Sequence, residues 1–152
     1  MDSGSMEKER GITIMSKATR VDWNGHVLNL IDTPGHADFA FEVSRSLAAC
    51  QGALLLVDAA QGIQAQTIAT FFLAMERDLA IIPVANKIDS VNADVEGTGE
   101  QLESVFGIDA SELVPISAKV GTNVAKVLDA VVERVPAPSG DATSTARLRA
   151  LL

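Results

Sequence analysis

The chain has 152 residues, of which 47% are hydrophobic and 21% are charged, a composition typical of a globular domain and not of a disordered segment. Twelve basic and twenty acidic residues leave a net charge of -8, which argues against a domain that holds DNA or RNA by bulk positive charge. The one cysteine, Cys50, excludes a disulfide bond within the chain and fits a reducing compartment. No apolar run is long enough to cross a bilayer.

The first predicted elements form a β-hairpin. Polar and apolar residues alternate over 16–23, and a second apolar run, 26–32, ends on Asp32. Asn24-Gly25 lies between them, and this dipeptide is a strong signal for a two-residue turn between antiparallel strands. We therefore expect two antiparallel neighbours here.

The pattern then changes to buried strands that alternate with helices. Continuous apolar runs, as expected of strands covered on both faces, lie at 52–58, 79–89 and 112–119. Helical patterns separate and follow them, near 36–50, 63–77, 93–106 and 124–135. The core of the second helix is predicted to include Phe71, Phe72 and Met75. This alternation indicates an α/β fold with a doubly wound, mostly parallel sheet and helices on both faces.

We expect one folded domain over residues 1–135. Pro136 and Pro138 stop the last helix, and the Ser-, Gly- and Thr-rich residues 136–147 are typical of a linker. Residues 148–152 would begin a following domain.

Polar residues stand where each predicted strand ends. Asp32 and Asp58 end two of the apolar runs, and two longer polar groups end the others, Asn86 to Asp89 and Ser117 to Lys119. Ligands of open parallel sheets bind beyond the carboxyl ends of the strands. Four such endings on one side of the sheet, here named the carboxyl edge, therefore predict a binding site.

The third of these groups has the chemistry to read a purine base. The Asp89 carboxylate offers two acceptors, which match the N1–H and N2–H₂ groups of guanine, whereas adenine presents an acceptor at N1. Asn86 would read the base beside it, and Lys87 could lay its alkyl stem along the purine face. The backbone N–H near Ala118 could meet the guanine O6.

The end of the hairpin has the chemistry of a metal-phosphate site. Asp32 is a natural partner for Mg²⁺, through water, because magnesium keeps much of its hydration. Gly35 would let a backbone N–H approach a terminal phosphate, which a side chain would hinder.

Three motifs carry a resemblance to a known family: DTPGH at 32–36, NKID at 86–89 and SAK at 117–119. In this order and at these spacings, the chain resembles the translational GTPases. Within them, EVSRSLAACQGALLLVDAAQGIQAQT (42–67) is most similar to elongation factor 4. Three further stretches resemble its mitochondrial branch, namely FFLAMERDL, VFGID and GTNVAKVLDAVVERVPAP.

The resemblance implies GTP and GDP as ligands, Mg²⁺ as cofactor and the ribosome as partner, reached mostly through other domains. It implies that Thr13, in EKERGITI, ligates Mg²⁺ together with Asp32 and touches the γ-phosphate, and that His36 orients the attacking water. By the same resemblance, the nucleotide-binding residues are Thr13, Asp32, Thr33, Pro34, Gly35, His36, Asn86, Lys87, Ile88, Asp89, Ser117, Ala118 and Lys119.

One family motif is absent from these 152 residues, the phosphate loop G-x-x-x-x-G-K-[ST]. In the family, that loop, with the strand before it and the helix after it, precedes EKERGITI, and the strand lies between those ending at Asp32 and Asp58. We therefore expect an incomplete GTPase domain.

Two functions stay open. The first is a GTPase that acts on the ribosome, by moving tRNAs backwards or rescuing stalled mitochondrial translation. The second is a non-catalytic remnant or binding module that keeps the guanine-reading residues. The family implies the mitochondrial matrix, with peripheral inner-membrane association, and the alternative location is a bacterial cytoplasm or a plastid.

Overall fold

The computed structural model describes residues 16–35 and 37–138. Five strands are present in this part of the chain: β1 Lys17–Trp23, β2 His26–Asp32, β3 Gly52–Asp58, β4 Ala80–Asn86 and β5 Val114–Pro115. Four α-helices accompany them: α1 Ala40–Leu47, α2 Ala65–Met75, α3 Val95–Phe106 and α4 Val124–Arg134. Short 3-10 helices lie at Ala37–Phe39 and Ala110–Glu112.

Strands β1 and β2 form the predicted hairpin. They pair antiparallel, and Trp23 lies opposite His26 across a two-residue turn. Both turn residues have positive φ, 47° at Asn24 and 78° at Gly25. Positive φ at both positions is the geometry of the turn that matches the twist of the flanking strands, so the Asn-Gly dipeptide fixes this part of the fold locally.

The other three strands form a parallel sheet in the order β3-β4-β5. One face packs against α4, where Ile82 and Val84 contact Val127 in a buried cluster. The opposite face packs against α2 and α3 through Phe71 and Leu102. The sheet is thus covered on both sides, and the predicted α/β architecture is confirmed.

Two expectations about the elements were wrong in detail. The apolar run 112–119 contains only a two-residue strand, because Pro115 has no N–H to donate and the chain turns after Ile116. In α2, Phe71 is buried but Phe72 and Met75 are 51% and 54% exposed, so they are not core residues.

The hairpin and the parallel sheet are separate sheets in the described residues. They are linked by side chains: Trp23 Nε1–H donates to Asp129 of α4 at 2.7 Å, and the hydroxyls of Ser16 and Ser46 lie 2.8 Å apart. On β3, Leu56 is 55% exposed. Strand β3 pairs with β4, and helices cover both faces of the sheet, but the side chain of Leu56 is left exposed.

None of the described helices combines the length and the apolarity needed to span a bilayer. The predicted linker is described only to residue 138, and the rest of it, together with 148–152, lies outside the described residues.

Candidate nucleotide-binding site

The ends of β3 and β4 meet at the carboxyl edge, because Asp58 pairs in register with Asn86. The Asn86 side chain then joins two separate segments. Its Oδ1 accepts the Lys87 N–H at 2.8 Å and the Ala118 N–H at 3.0 Å. With the oxygen engaged on protein donors, the NH₂ group of Asn86 is the part of the amide that can donate to a ligand.

A tight turn follows β4 and brings Asp89 back to the same edge. Lys87 has a φ of 68°, and the Ser90 N–H donates to the Lys87 carbonyl at 2.9 Å. The Ile88 N–H donates to the Ile116 carbonyl at 3.2 Å, which holds the turn against the segment after β5. Left-handed backbone is costly for a residue with a side chain, and it occurs preferentially at functional sites.

The Asp89 carboxylate is oriented by a buried hydroxyl. Ser117 is fully buried, and its Oγ donates to Asp89 Oδ1 at 2.5 Å, whereas Asp89 itself is exposed. This hydrogen bond is the main reason why the pKa of Asp89 is lowered, and the positive charges of Lys119 and Lys87 add to it. Asp89 is therefore an ionised acceptor at neutral pH with a fixed orientation.

A further contact links Lys87 to the end of β3. Its Nζ donates to Asp58 Oδ2 at 2.7 Å. The hydrogen bond from Lys87 is the first cause of a lowered pKa at Asp58, and the Ala60 N–H is the second. Sequence reasoning had placed Asp58 at this edge without a role. Its partner could not be predicted, because the pairing depends on the left-handed turn at Lys87.

The end of β2 carries the predicted phosphate and metal residues. Asp32 and Thr33 are half-buried, Pro34 is buried and Gly35 is exposed. A Cβ on Gly35 would meet no heavy atom within 4 Å, so packing within the described chain gives no reason for glycine there. In the described structure, no hydrogen bond joins this segment to the turn after β4 or to 117–119.

The described residues at the end of β2 supply only part of a magnesium coordination shell. Asp32 is a single carboxylate at a strand end, and among the described residues no three His, Cys, Asp or Glu side chains cluster as a metal cage. Magnesium bound with nucleotide commonly takes one or two carboxylates and fills its other positions with water and phosphate oxygens. One carboxylate is thus compatible with that chemistry.

Two of the predicted site residues, Thr13 and His36, lie outside the described residues. Ser117 is hydrogen-bonded to Asp89 and Ala118 to Asn86, the Ile88 N–H donates to the Ile116 carbonyl, and Lys119 is exposed. The roles of all these residues stay predictions.

Comparison with known proteins gives the family. The profile of the elongation factor Tu GTP binding domain matches residues 1–137. Elongation factor 4 of Clostridium kluyveri and that of Oleidesulfovibrio alaskensis are each 55% identical to this chain. Both alignments have 157 positions and include the whole of this chain. The chain spans about a quarter of the length of these relatives, 26% in both cases.

Solved structures agree with the fold. A bacterial selenocysteine-specific elongation factor, EF-Sec, superposes with a TM-score of 0.74 at 26% identity, over 88% of this chain and 24% of that one. Elongation factor SelB of Methanococcus maripaludis, in complex with the GTP analogue GPPNHP, gives 0.72 at 26% identity, over 86% of this chain and 31% of that one. The chain therefore belongs to the elongation factor Tu GTP-binding domain family, and its resemblance to elongation factor 4 is confirmed.

Proposed function

We propose that this chain is the guanine-recognising part of a translational GTPase of the elongation factor 4 type. The observation that carries the proposal is a pair of hydrogen bonds at the carboxyl edge, from Ser117 to Asp89 and from the Ala118 N–H to Asn86, which hold the two motifs together. Two relatives named elongation factor 4 match this chain along its whole length, and the SelB structure holds a GTP analogue.

The cluster offers a donor and acceptor pattern for guanine. The ionised Asp89 accepts from N1–H and N2–H₂, and the NH₂ group of Asn86 donates to an acceptor on the purine edge. The Ala118 N–H now donates to Asn86, so binding of guanine O6 requires this N–H to share or exchange its partner. Adenine would set its N1 acceptor against the carboxylate, which leaves both groups unpaired.

The protein that carries this domain is proposed to hydrolyse GTP on the ribosome during protein synthesis, by back-translocation or by rescue of stalled elongation. Bound Mg²⁺ would neutralise phosphate charge. Asp32 would hold it through water, Thr13 would contribute a hydroxyl, and Gly35 would donate its N–H to the terminal phosphate. His36 would orient the attacking water.

The relatives named here are bacterial, which favours a cytoplasmic site of action. The mitochondrial matrix is the alternative from the sequence resemblance.

A second candidate follows from the motifs. The 152 residues contain the guanine-reading motifs but not G-x-x-x-x-G-K-[ST], whose backbone N–H groups and lysine bind phosphates. The chain by itself is therefore a candidate guanine-binding module without turnover.

Guanine selectivity tests the proposal directly. The ¹⁵N-labelled chain would be titrated with GDP and with ADP, each with Mg²⁺, while the amide signals of Lys87 and Ala118 are followed. Because the chain has no phosphate loop, we expect weak binding, with fast-exchange shifts at millimolar GDP and much smaller shifts with ADP. Equal responses to the two nucleotides would reject guanine recognition.

To separate the two candidates, residues 1–137 would replace the matching segment of Clostridium kluyveri elongation factor 4, with its phosphate loop retained. Ribosome-stimulated GTP hydrolysis by that chimera supports the enzyme, and guanine binding without hydrolysis supports the module.

A further inference from the structure

We infer that Asp58 is a positioning residue for guanine binding: its carboxylate holds the Lys87 side chain along the carboxyl edge, where the alkyl stem can pack against a purine. Asp58 acts only through Lys87 and has no contact of its own with the base in this proposal. The inference rests on the proposed function and extends it by one residue.

The carboxylate is a fixed anchor because each of its oxygens has a protein donor. Oδ1 accepts the Ala60 N–H at 2.9 Å, and Oδ2 accepts Lys87 Nζ at 2.7 Å. The Asp58 side chain is 20% exposed, whereas that of Lys87 is 59% exposed. Asp58 is therefore the held partner of the pair, and Lys87 is the partner whose freedom is reduced.

The backbone around Asp58 is held independently of the ion pair. The Asp58 carbonyl accepts the N–H groups of Gln61 and Gly62 at 3.0 and 2.8 Å. The Ala59 N–H donates to the Asn86 carbonyl at 2.9 Å, which ties the start of this loop to the end of β4. Replacing the Asp58 carboxylate by an amide keeps an oxygen for Ala60 and leaves these backbone bonds intact.

The geometry of Lys87 makes the pairing useful for a ligand. Its backbone lies at the end of β4, and its ammonium reaches the end of the neighbouring strand β3. The alkyl stem must then cross the space between the two strand ends. A lysine free in solvent loses rotamer freedom when it packs on a base, and prior pairing with Asp58 removes part of that cost before the ligand arrives.

A double-mutant cycle tests the inference on the 152-residue chain, whose weak GDP binding can be measured at millimolar ligand. GDP and ADP dissociation constants would be measured by NMR titration for the unmodified chain, Asp58→Asn, Lys87→Met and the double variant. Asp109→Asn is the matched control. Its carboxylate also accepts a backbone N–H, from Ser111 at 2.8 Å, but it precedes β5 rather than following a strand.

We expect Asp58→Asn to weaken GDP binding about two- to fivefold, the range of a partly exposed ion pair, and added salt to reduce this difference. In the Lys87→Met background, the same change should have no effect, and Asp109→Asn should match the unmodified chain. An equal loss in both backgrounds would make Asp58 merely structural, and no loss in either would also overturn the inference. If the unmodified chain does not prefer GDP over ADP, the proposed function fails and this inference fails with it. If the unmodified chain prefers GDP but the effect of Asp58→Asn does not depend on Lys87, this inference fails and the proposed function stands.

Discussion

Replacing Asp89 by asparagine should change which base the site prefers. Ser117 Oγ accepts the Val120 N–H at 3.4 Å, so its own hydroxyl hydrogen points to Asp89 Oδ1. After Asp89→Asn, that buried donor still needs an oxygen, because an unsatisfied buried polar group is costly. The amide oxygen would then turn toward Ser117, and its NH₂ group would face the ligand.

The magnitude follows from the hydrogen bonds lost. The NH₂ group would meet the N1–H and N2–H₂ donors of guanine, so at least one charge-assisted bond of about 1.5–3 kcal/mol disappears. We expect GDP to bind about 10- to 150-fold more weakly, at about 1.4 kcal/mol for each factor of ten. Xanthine has an acceptor, O2, where guanine has its amine, so xanthosine diphosphate should bind better to the variant than to the unmodified chain.

The assay is a pair of NMR titrations, with GDP and with xanthosine diphosphate, for the unmodified chain and Asp89→Asn. The ratio of the two dissociation constants is the readout, because it does not depend on how strongly the chain holds phosphates. Asp109→Asn again removes a carboxylate that accepts a backbone N–H elsewhere. A ratio that stays the same after Asp89→Asn would refute the base-reading role of Asp89.

Four further outcomes are expected. Leu102 is fully buried, so Leu102→Ala should lower the free energy of unfolding by about 2–5 kcal/mol in urea, whereas Val91→Ala at a fully exposed position should stay within about 0.5 kcal/mol. GDP affinity should be constant near neutral pH and fall in acid, as the pH drops through the lowered pKa of Asp89, because protonation removes the acceptor; a loss that begins near neutral pH would contradict this. In the chimera that retains the phosphate loop, the proposed function predicts that the His36→Ala variant binds GTP nearly normally but hydrolyses it on the ribosome about a hundredfold more slowly, and equal losses in affinity and rate would make His36 structural. Calorimetry on the 152-residue chain should show no tight GTP binding, since about four missing charge-assisted bonds cost about 6–12 kcal/mol, and a micromolar ligand has about 8 kcal/mol in total.

The parts of the fold that local chemistry decides could be predicted from the sequence. Asn24-Gly25 fixes its own turn and therefore the register of β1 against β2. The polar residues that end β3, β4 and β5 could be assigned to one edge, because these strands are parallel and end on the same side, whereas Asp32 ends a strand of the separate hairpin. Asn86 and Ser117 lie there for that reason, and the turn after β4 returns Asp89 to the same edge.

Features that depend on how a helix is rotated about its axis, or on an unusual backbone conformation, could not be predicted. In α2, the run Phe71 to Met75 is apolar at every position. The sequence therefore has no alternation of polar and apolar residues that would indicate that Phe71 faces the core and Phe72 faces outward. The pairing of Asp58 with Lys87 needs a left-handed backbone at a lysine, which sequence propensities disfavour. The burial of Phe71 depends on residues distant in the sequence, and the turn at Lys87 is held both by its neighbour Asn86 and by the distant Ile116 carbonyl.

In the proposed function, the left-handed turn at Lys87 is what would allow one short motif to read a base. Side chains of a strand alternate between its two faces, so residues three apart in a continuous strand would point in opposite directions. Strand β4 ends at Asn86, and the turn at Lys87 folds Asp89 back until it touches Ser117. Asn86 Oδ1 stabilises that turn by accepting the Lys87 N–H, which offsets part of the backbone cost. The turn thus places the amide of Asn86 and the carboxylate of Asp89 at one edge, and it directs the Lys87 ammonium toward Asp58.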